Sequence, residues 1–233
     1  FRSDGKGQQR ILKKSECKSA FESLHQEGTS LIAEQFQPFE RELSVVVARS
    51  RSGEIRSFPV SENLHRQNIL TICRIPARIS GQVEKEANRI SACLADGLGL
   101  VGVMGVEMFL LPDGSLLVNE IAPRPHNSGH FSIDACDYSQ FDLQVRALTG
   151  MKLEQPKLIH KSRMINLLGD VWFRGDSQIN PPFNNIKNES IKLHLYGKKE
   201  PRMGRKMGHF TVLGDDPEKI KELAFKTKEM LLS

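Results

Sequence analysis

The sequence predicts an α+β fold built from antiparallel hairpins with flanking helices. Two apolar runs, 100–111 and 115–122, are separated by Pro112-Asp113-Gly114, and these residue types are strong turn formers. Two further runs, 43–50 and 54–60, flank Arg51-Ser52-Gly53 and predict a second hairpin. With 233 residues, the chain is long enough for one large domain or two small ones without disulfide support.

Helical patterns punctuate the first 150 residues. The helix at 139–150 is the best delimited, because Ser139 and Asp142 have capping-box spacing and Gly150 is a typical stop. The other elements predicted in this part are a helix over 15–28, from a Ser15 cap to Gly28, a strand over 30–36, and a helix over 84–99.

The sequence pattern changes after Gly150, where most of the predicted elements are short strands. The runs 163–169, 190–197 and 209–214 predict strands with little helix between them. A helix over 215–232 follows, with Asp216 at the N-cap and Pro217 at the first helical position. A second, smaller unit is therefore expected after 152.

Composition narrows the class of protein. A net charge of +5 suits anionic small molecules as well as nucleic acid and does not decide between them. An aromatic content of 6% leaves little for nucleic-acid bases to stack on. No apolar run reaches the ~18 residues of a membrane span, and no signal peptide is visible. The four cysteines form no CxxC motif and predict reduced thiols in a cytoplasmic protein. The chain begins within a glycine-containing loop and without methionine, which indicates a truncated larger protein.

The firm hairpin places two carboxylates together. If Pro112 to Ser115 form a four-residue loop, Glu107 stands opposite Glu120, whereas a three-residue loop puts Asn119 opposite Glu107. Cross-strand Cβ atoms are about 5 Å apart, so two glutamates there need compensation. A hard cation such as Mg²⁺ supplies it, with Asn119 as a neutral oxygen nearby. The alternative is a solvated sheet edge where each glutamate pairs with a lysine or arginine.

Two glycine-rich basic segments are candidates for anion binding. Residues 3–8 place two glycines around Lys6 but do not form a Walker A sequence. Residues 196–209 concentrate basic side chains between glycines, which is typical of a phosphate or carboxylate clamp or of a solvated loop.

His126 and His130 have HxxxH spacing, which can serve zinc on a helix face. The residues between them are Asn-Ser-Gly, and Pro123 and Pro125 precede them, so the composition favours a loop instead. One of the histidines is then expected to brace that loop through a backbone hydrogen bond.

Several segments together resemble one family. The stretches DGKGQ, EQFQPFERELSVVVAR, ENLH, VEMFLLPDGSLLVNEIAPRPHNSGH, NLLGD and LHLYGKKEPRMGRKMGH occur in the order typical of the ATP-grasp ligases called 5-(carboxyamino)imidazole ribonucleotide synthetases. The resemblance covers essentially the whole chain.

The resemblance implies an activity in de novo purine (IMP) biosynthesis. Members use ATP, Mg²⁺ and bicarbonate to carboxylate the amine of 5-aminoimidazole ribonucleotide, with carboxyphosphate as intermediate. It also implies a homodimer, a separate mutase that receives the product, and no nucleic-acid or membrane partner. The implied organisation is an ATP-grasp domain over 1–152, lacking its N-terminal part, and a small mostly-β domain over 153–233 that closes the ribonucleotide site.

The resemblance also implies roles for individual residues. The loop over the ATP phosphates is Asp4, Gly5, Lys6, Gly7 and Gln8, and Asp4 is a candidate to assist amine deprotonation. The adenine hinge and ribose contacts are Glu34, Gln35, Phe36, Gln37, Glu42 and His65. The metal ligands are Glu107 and Glu120, beside Asn119. Residues facing bicarbonate and the amine are Arg124, His126, Asn127 and Ser128, and those holding the ribonucleotide phosphate are Lys198, Arg205 and Lys206.

Departures from the family pattern lead to one further expectation. Arg2-Ser3 replaces the usual Gly-Tyr before DGKGQ, and a preceding domain with a phosphate-binding lysine is absent. The 233 residues alone are therefore expected to bind nucleotide poorly and not to turn over. The alternatives are a neighbouring ATP-grasp enzyme, such as formate-dependent glycinamide ribonucleotide transformylase or a biotin carboxylase, and a non-catalytic nucleotide-binding fragment.

Overall fold

A computed structural model describes residues 7–26 and 30–232, and its centre is one antiparallel sheet. Eight of its nine strands follow the order β10-β11-β7-β4-β3-β1-β5-β6, and β2 pairs with β1 off this path. The predicted α+β class is confirmed. The sheet strands are β1 (Arg41–Arg49), β2 (Ile55–Ser57), β3 (Ser61–Arg66), β4 (Ile69–Ile75), β5 (Gly102–Leu110), β6 (Leu116–Ala122), β7 (Lys161–Leu168), β10 (Ile191–Leu195) and β11 (Lys206–Gly214). A separate two-stranded ribbon joins β8 (Phe173–Arg174) to β9 (Ser177–Gln178).

Helices cover both faces of the sheet. The helices are α1 (Cys17–Leu24), α2 (Gly81–Gly97), α3 (Ser132–Ala135), α4 (Gln140–Thr149) and α5 (Pro217–Leu232). One face packs against α2 and α5, with Val45 and Phe210 in its two apolar clusters. The other packs against α3 and α4, with Val46 and Phe131 in a third cluster. Because side chains alternate along a strand, neighbours on β1 serve opposite cores.

The helix predictions after residue 80 are confirmed. Ser139 and Asp142 form the expected capping box of α4, and Gly150 ends it in the left-handed conformation at φ 75°. The Asp216 carboxylate accepts from the backbone N–H of Glu218 at the start of α5. Helix α2 begins at Gly81 rather than 84, because the Ser80 hydroxyl caps it by accepting from Val83 N–H.

Two expectations near the N-terminus are wrong. Helix α1 covers only Cys17–Leu24, so Ser15 lies in a preceding 3-10 turn instead of capping it, and Gly28 lies outside the described residues. No strand forms in the described residues 30–40, where Leu31 and Ile32 remain exposed. The apolar composition of this segment therefore predicts a strand that does not form, because no strand of the described sheet pairs with it.

The sequence analysis did not anticipate the β3–β4 hairpin. Its turn consists of Gln67 and Asn68, which take φ values of 50° and 59°. Both are left-handed, as a tight hairpin turn requires, although neither residue is glycine. The absence of a Gly or Pro signal explains why the hairpin was missed.

A β-bulge places the two glutamates of the β5–β6 hairpin opposite one another. Near the turn Leu110 pairs with Leu116, which is the register that would put Asn119 opposite Glu107. The register then shifts between Glu107 and Met108, so that Glu107 pairs with Glu120. The predicted carboxylate pairing is therefore confirmed, although the extra residue that achieves it sits in the strand and not in the turn.

The strands of the expected second unit belong to the same sheet as the rest. Strand β7 pairs with β4, which connects β11 and β10 to the strands of the first 152 residues. The division at 152/153 stays a prediction. Within residues 7–26 and 30–232, no helix combines the length and the apolar character that crossing a bilayer requires.

Candidate active site

A band of polar side chains crosses the α4-facing side of the sheet. His194 pairs with His209 across β10 and β11, and His209 pairs with Asn166 on β7. Near the opposite edge, Ser44 on β1 pairs with Ser61 on one side and with Glu107 on the other. Several members of the band are buried, namely Ser44, Ser61, Asn63, Asn166 and His209. Buried polar groups of this density in strands indicate a site rather than a simple core.

The carboxylates lie at the β5 end of this polar band. The Glu107 side chain is only 16% exposed, and its Oε1 lies 3.8 Å from Nε2 of His126. Burial raises the pKa of Glu107; the charge of His65 opposes the rise, and Glu120 adds to it. Such an acidic pair, with Glu107 largely buried and Glu120 on the exposed edge strand, fits a hard divalent cation, which would supply the counter-charge.

A second carboxylate stands beside Glu107. Glu42 lies on β1 two residues before Ser44, on the same face, and its Oε2 accepts from Nδ1 of His65 at 2.5 Å. Its negative charge also raises the pKa of Glu107. The structure therefore brings Glu42, His65 and Glu107 into one electrostatic cluster.

Hydroxyl, amide and thiol groups form a hydrogen-bond network next to the carboxylates. The Asn63 amide donates to Oγ of Ser44 at 2.9 Å and accepts from Sγ of Cys73 at 3.2 Å. Burial raises the pKa of Cys73 far above its usual value, and the charge of Glu107 adds to the effect. Cys73 is therefore a neutral hydrogen-bond donor in this network and not a thiolate.

The loop after β6 is held against the sheet by one buried glutamine. Gln140 is 0% exposed, and its Oε1 accepts from the backbone N–H of His126 at 2.8 Å. Its Nε2 lies 2.8 Å from both the carbonyl of His126 and Nδ1 of His130. The loop leaves the sheet as irregular chain and contains a short 3-10 turn at Asn127–Gly129.

Gly105 makes room for the His126 side chain. A Cβ at Gly105 would lie 2.6 Å from Cβ of His126, which is closer than real Cβ atoms approach. His126 Nδ1 pairs with Oγ of Ser128 at 2.8 Å, so Nε2 is the nitrogen directed towards Glu107. Burial, together with the positive charges of Lys206 and Arg124, lowers the pKa of His126 to about 4. The imidazole is therefore neutral near pH 7.

Asn127 joins the loop to the other half of the sheet. Its side-chain amide exchanges two hydrogen bonds with Asn166 on β7, at 3.0 and 2.5 Å. Asn166 also donates to the carbonyl of Leu70. These hydrogen bonds link β7 and β4 to the loop after β6, the polar loop.

Lys206 brings the C-terminal basic segment into the same cluster. Burial lowers its pKa, while the nearby Cys73 and Glu107 raise it. The ammonium group of Lys198 donates to the carbonyl of Lys206 at 2.5 Å. Arg205 lies one residue away, and its guanidinium donates to the carbonyl of Glu200. The three predicted basic residues therefore lie along one short stretch, with Lys206 nearest the carboxylates.

The predicted nucleotide-contact residues are only partly placed. Asp4, Gly5 and Lys6 lie outside the described residues. Gly7 and Gln8 are exposed, as are Glu34, Gln35 and Phe36, while Gln37 is half-buried. The Arg10 guanidinium lies 3.8 Å above the Phe36 ring. The nucleotide-binding role of residues 34–37 stays a prediction.

The HxxxH pair does not form a zinc site on a helix face. His126 bonds to Ser128, whereas His130 bonds to the side chain of Gln140 and stacks with Phe141. The loop interpretation is therefore confirmed for both histidines. The expected backbone brace is His126, whose Nδ1 accepts from the N–H of Ser128 at 3.4 Å, whereas His130 braces the loop through the side chain of Gln140.

The sequence analysis missed the buried polar residues that support the site. Gln140 appeared only as part of a helix, and Asn63, Asn166 and Tyr196 were not singled out. Asn63 and Asn166 occupy buried strand positions where apolar side chains are expected, and polar residues at such positions indicate a site. Strand pairing is needed to see that they face the same side as Glu107.

Comparison with known proteins assigns both parts of the chain. Residues 2–141 match the model of the ATP-grasp domain, and residues 162–223 match the phosphoribosylaminoimidazole carboxylase C-terminal domain. The N5-carboxyaminoimidazole ribonucleotide synthase of Bacillus subtilis is 43% identical over 224 residues, which are 96% of this chain and 57% of that protein. The chain thus spans somewhat more than half the length of the curated relatives it matches.

Solved structures agree with the sequence matches. The Staphylococcus aureus synthetase complexed with ADP is 37% identical, with a TM-score of 0.82 over 96% of this chain and 57% of its own. The Aspergillus clavatus synthase, in complex with ADP and 5-aminoimidazole ribonucleotide, is 29% identical, with a TM-score of 0.85 over 96% of this chain and 59% of its own. The predicted ATP-grasp fold is confirmed, and the chain belongs to the N5-carboxyaminoimidazole ribonucleotide synthase family.

Proposed function

We propose that this chain carries the ATP-grasp and C-terminal parts of an enzyme that carboxylates 5-aminoimidazole ribonucleotide. The reaction uses ATP and bicarbonate, passes through carboxyphosphate and yields 5-(carboxyamino)imidazole ribonucleotide. The observation that carries the proposal is the meeting of Glu107, His126 and Lys206 in one buried cluster. The relatives solved with ADP, and with ADP and the ribonucleotide, support the same substrates.

The proposed metal site consists of Glu107 and Glu120, with Asn119 beside them. The raised pKa of Glu107 and the cross-strand pairing of the glutamates support this assignment. Mg²⁺ bound there would neutralise phosphate charge during transfer. Glu42, oriented by its hydrogen bond to His65, would bind the ribose. The nucleotide loop would comprise residues 4–8, and the adenine hinge residues 34–37.

The polar loop would receive bicarbonate and the reacting amine. Arg124 supplies a fixed positive charge, and His126, Asn127 and Ser128 supply hydrogen-bonding groups. Because the pKa of His126 lies at about 4, its imidazole would act as a neutral group that orients a reactant or accepts a proton. A site this buried would also protect carboxyphosphate from water.

The basic segment would hold the ribonucleotide phosphate through Lys198, Arg205 and Lys206. Phosphate transfer and anion binding depend mainly on positioned cations and dipoles, which these residues supply. The same proposal includes a 1–152 ATP-grasp domain, a 153–233 domain that closes the ribonucleotide site, a cytoplasmic homodimer, and transfer of the product to a separate mutase.

The metal assignment is tested by Glu120→Gln in the longest available form of the protein. We expect phosphate release that depends on Mg²⁺-ATP, bicarbonate and the ribonucleotide to fall by about 100-fold or more, because a charge-stabilising group at the phosphates is lost. The matched control is Glu222→Gln, an exposed glutamate on α5. Unchanged phosphate release in Glu120→Gln would refute the metal site.

The substrate assignment is tested by exchanging co-substrates. Turnover with formate and glycinamide ribonucleotide, but not with bicarbonate, would identify the transformylase alternative. In the longest available form of the protein, absence of turnover with nucleotide still bound would identify the non-catalytic alternative.

The phosphate clamp is tested by Arg205→Gln, which should raise the KM for the ribonucleotide about tenfold with little change in the KM for ATP. Arg202→Gln is the control, because Arg202 lies in the same segment but is paired with Glu200 at 2.7 Å. Equal effects of the two substitutions would contradict the clamp.

A further inference from the structure

A second cluster of potential metal ligands lies at the other end of the polar band. His194 on β10 and His209 on β11 are cross-strand partners, so their imidazoles share one face of the sheet. Their rings stack at 4.7 Å between centroids. Asp134 on α3 reaches the same place, and its Oδ2 lies 2.9 Å from Nε2 of His194. One ligand atom from each of the three residues lies within 4.8 Å of the others.

The hydrogen bonding of His209 is incomplete without a further partner. The residue is 1% exposed, and its Nδ1 pairs with the hydroxyl of Tyr196 at 3.0 Å. Among the residues that the structure describes, Nε2 of His209 is buried and has no hydrogen-bond partner. Buried polar atoms are normally satisfied, so this nitrogen needs a partner that protein groups do not supply. The Asp134–His194 hydrogen bond does not account for it.

The hydrogen bonding of His209 suits a metal ligand. Its Nδ1 lies 3.0 Å from the hydroxyl of Tyr196, and its Nε2 has no partner among the described residues. If Nδ1–H donates to the Tyr196 oxygen, Nε2 presents its lone pair, which is the arrangement in which an outer-shell group selects the ligating tautomer.

We propose that Asp134, His194 and His209 bind a divalent transition-metal ion of the zinc class. Two imidazoles and one carboxylate suit Zn²⁺ and related ions, whereas Mg²⁺ prefers an all-oxygen shell. Metal–ligand bonds of about 2.0–2.2 Å place tetrahedral neighbours roughly 3.3 Å apart, so small side-chain movements complete the site. Three protein ligands leave the fourth position to water.

The ion would connect two parts of the chain that carry site residues. Asp134 follows the polar loop closely, and His194 and His209 flank the 196–206 segment that contains the basic residues. A metal between them would hold the β10–β11 hairpin against α3. The proposal does not depend on the proposed reaction, because it concerns donor atoms outside the carboxylate site.

The test is a titration of the chelator-treated protein with Co²⁺ and then Zn²⁺, in excess Mg²⁺ to occupy the carboxylate site. We expect one equivalent of Co²⁺ with the intense visible absorption of four-coordinate cobalt, displaced by Zn²⁺, and a rise in Tm on adding Zn²⁺. His194→Gln and Asp134→Asn should weaken Zn²⁺ binding by more than about 100-fold, since even outer-shell losses cost roughly 10- to 100-fold. Tyr196→Phe should weaken it about tenfold.

Two controls locate the ion. His160→Gln removes an exposed histidine that is outside the cluster, and Glu120→Gln alters the carboxylate site; both should keep full Zn²⁺ affinity. The His194 side chain is 32% exposed, so His194→Gln is expected to fold, which far-UV circular dichroism checks; Asp134→Asn gives an independent reading. Absence of stoichiometric binding, or binding that survives both His194→Gln and Asp134→Asn, overturns the proposal. Loss in Glu120→Gln alone places the ion in the carboxylate site and overturns it equally.

Discussion

Gln140→Met is the most informative perturbation of the loop that carries the site. Methionine retains most of the volume of glutamine but cannot exchange hydrogen bonds with the backbone of His126 or with His130. The wild-type side chain makes three such contacts, each at 2.8 Å, while fully buried. At about 1 kcal/mol for each buried hydrogen bond, the substitution should lower the free energy of unfolding by about 3 kcal/mol.

The assay is urea denaturation followed by circular dichroism, with Gln155→Met as the control. The Gln155 amide also donates to backbone carbonyls, but the residue is exposed, so its substitution should cost less than about 0.5 kcal/mol. We expect the Gln140→Met midpoint to fall with an unchanged m-value, because the surface exposed on unfolding is the same. A loss below about 1 kcal/mol would refute the reasoning that this amide anchors the loop.

Three further predictions concern close backbone approach and buried imidazoles. Gly105→Ala should displace His126 and lower kcat more than 10-fold in a turnover assay, because the added Cβ would lie 2.6 Å from that side chain; unchanged kcat would contradict it. Gly169→Ala should lower Tm by several degrees, because its Cβ would lie 2.0 Å from the carbonyl oxygen of Arg202, whereas Gly81→Ala meets no atom within 4 Å and serves as the control. The free energy of unfolding should fall as the pH drops from about 6.5 to about 4 and change little between about pH 7 and 8, because the buried histidines protonate in the unfolded chain first; urea midpoints across this range measure it, and a flat profile would contradict it. These histidines, with pKa values lowered to about 4, 4 and 3, are His126, His130 and His209.

Local chemistry made part of the structure predictable from the sequence. The α4 capping box and the Pro112-Asp113-Gly114 turn depend on neighbouring residues, and both form. The β3–β4 turn also depends on two neighbours, but Gln67 and Asn68 carry no strong turn signal, so the left-handed pair was not foreseen. The strand predicted over 30–36 does not form, because a strand needs a partner strand and the composition of the segment does not supply one.

The residues of the site likewise divide into those that local sequence predicts and those that it does not. The hairpin that contains Glu107 could be predicted from the sequence, but its register left Glu120 and Asn119 as alternative partners, and the bulge that selects Glu120 was not predicted. The basic segment 196–209 could be named as a candidate anion clamp, but no local rule places its Lys206 beside a carboxylate about a hundred residues earlier. The ladder from β11 through β7, β4, β3 and β1 to β5 brings them together. Long-range strand order is set by the whole core, and sequence pattern does not encode it locally.

The bulge at Asn119 shows how local irregularity serves that long-range arrangement. Because side chains alternate along a strand, a continuous register would put Asn119 on the site face and turn Glu120 towards the opposite face. The extra residue reverses the alternation, so Leu117 and Glu120 face the same side although they are three residues apart. Strand β6 lies at the sheet edge and is largely exposed, so it accommodates the bulge without disrupting a buried ladder. The carboxylate pair therefore depends on an edge strand that can be irregular. The polar residues beside the pair, Glu42 and Ser44, lie on the central strand β1, which cannot.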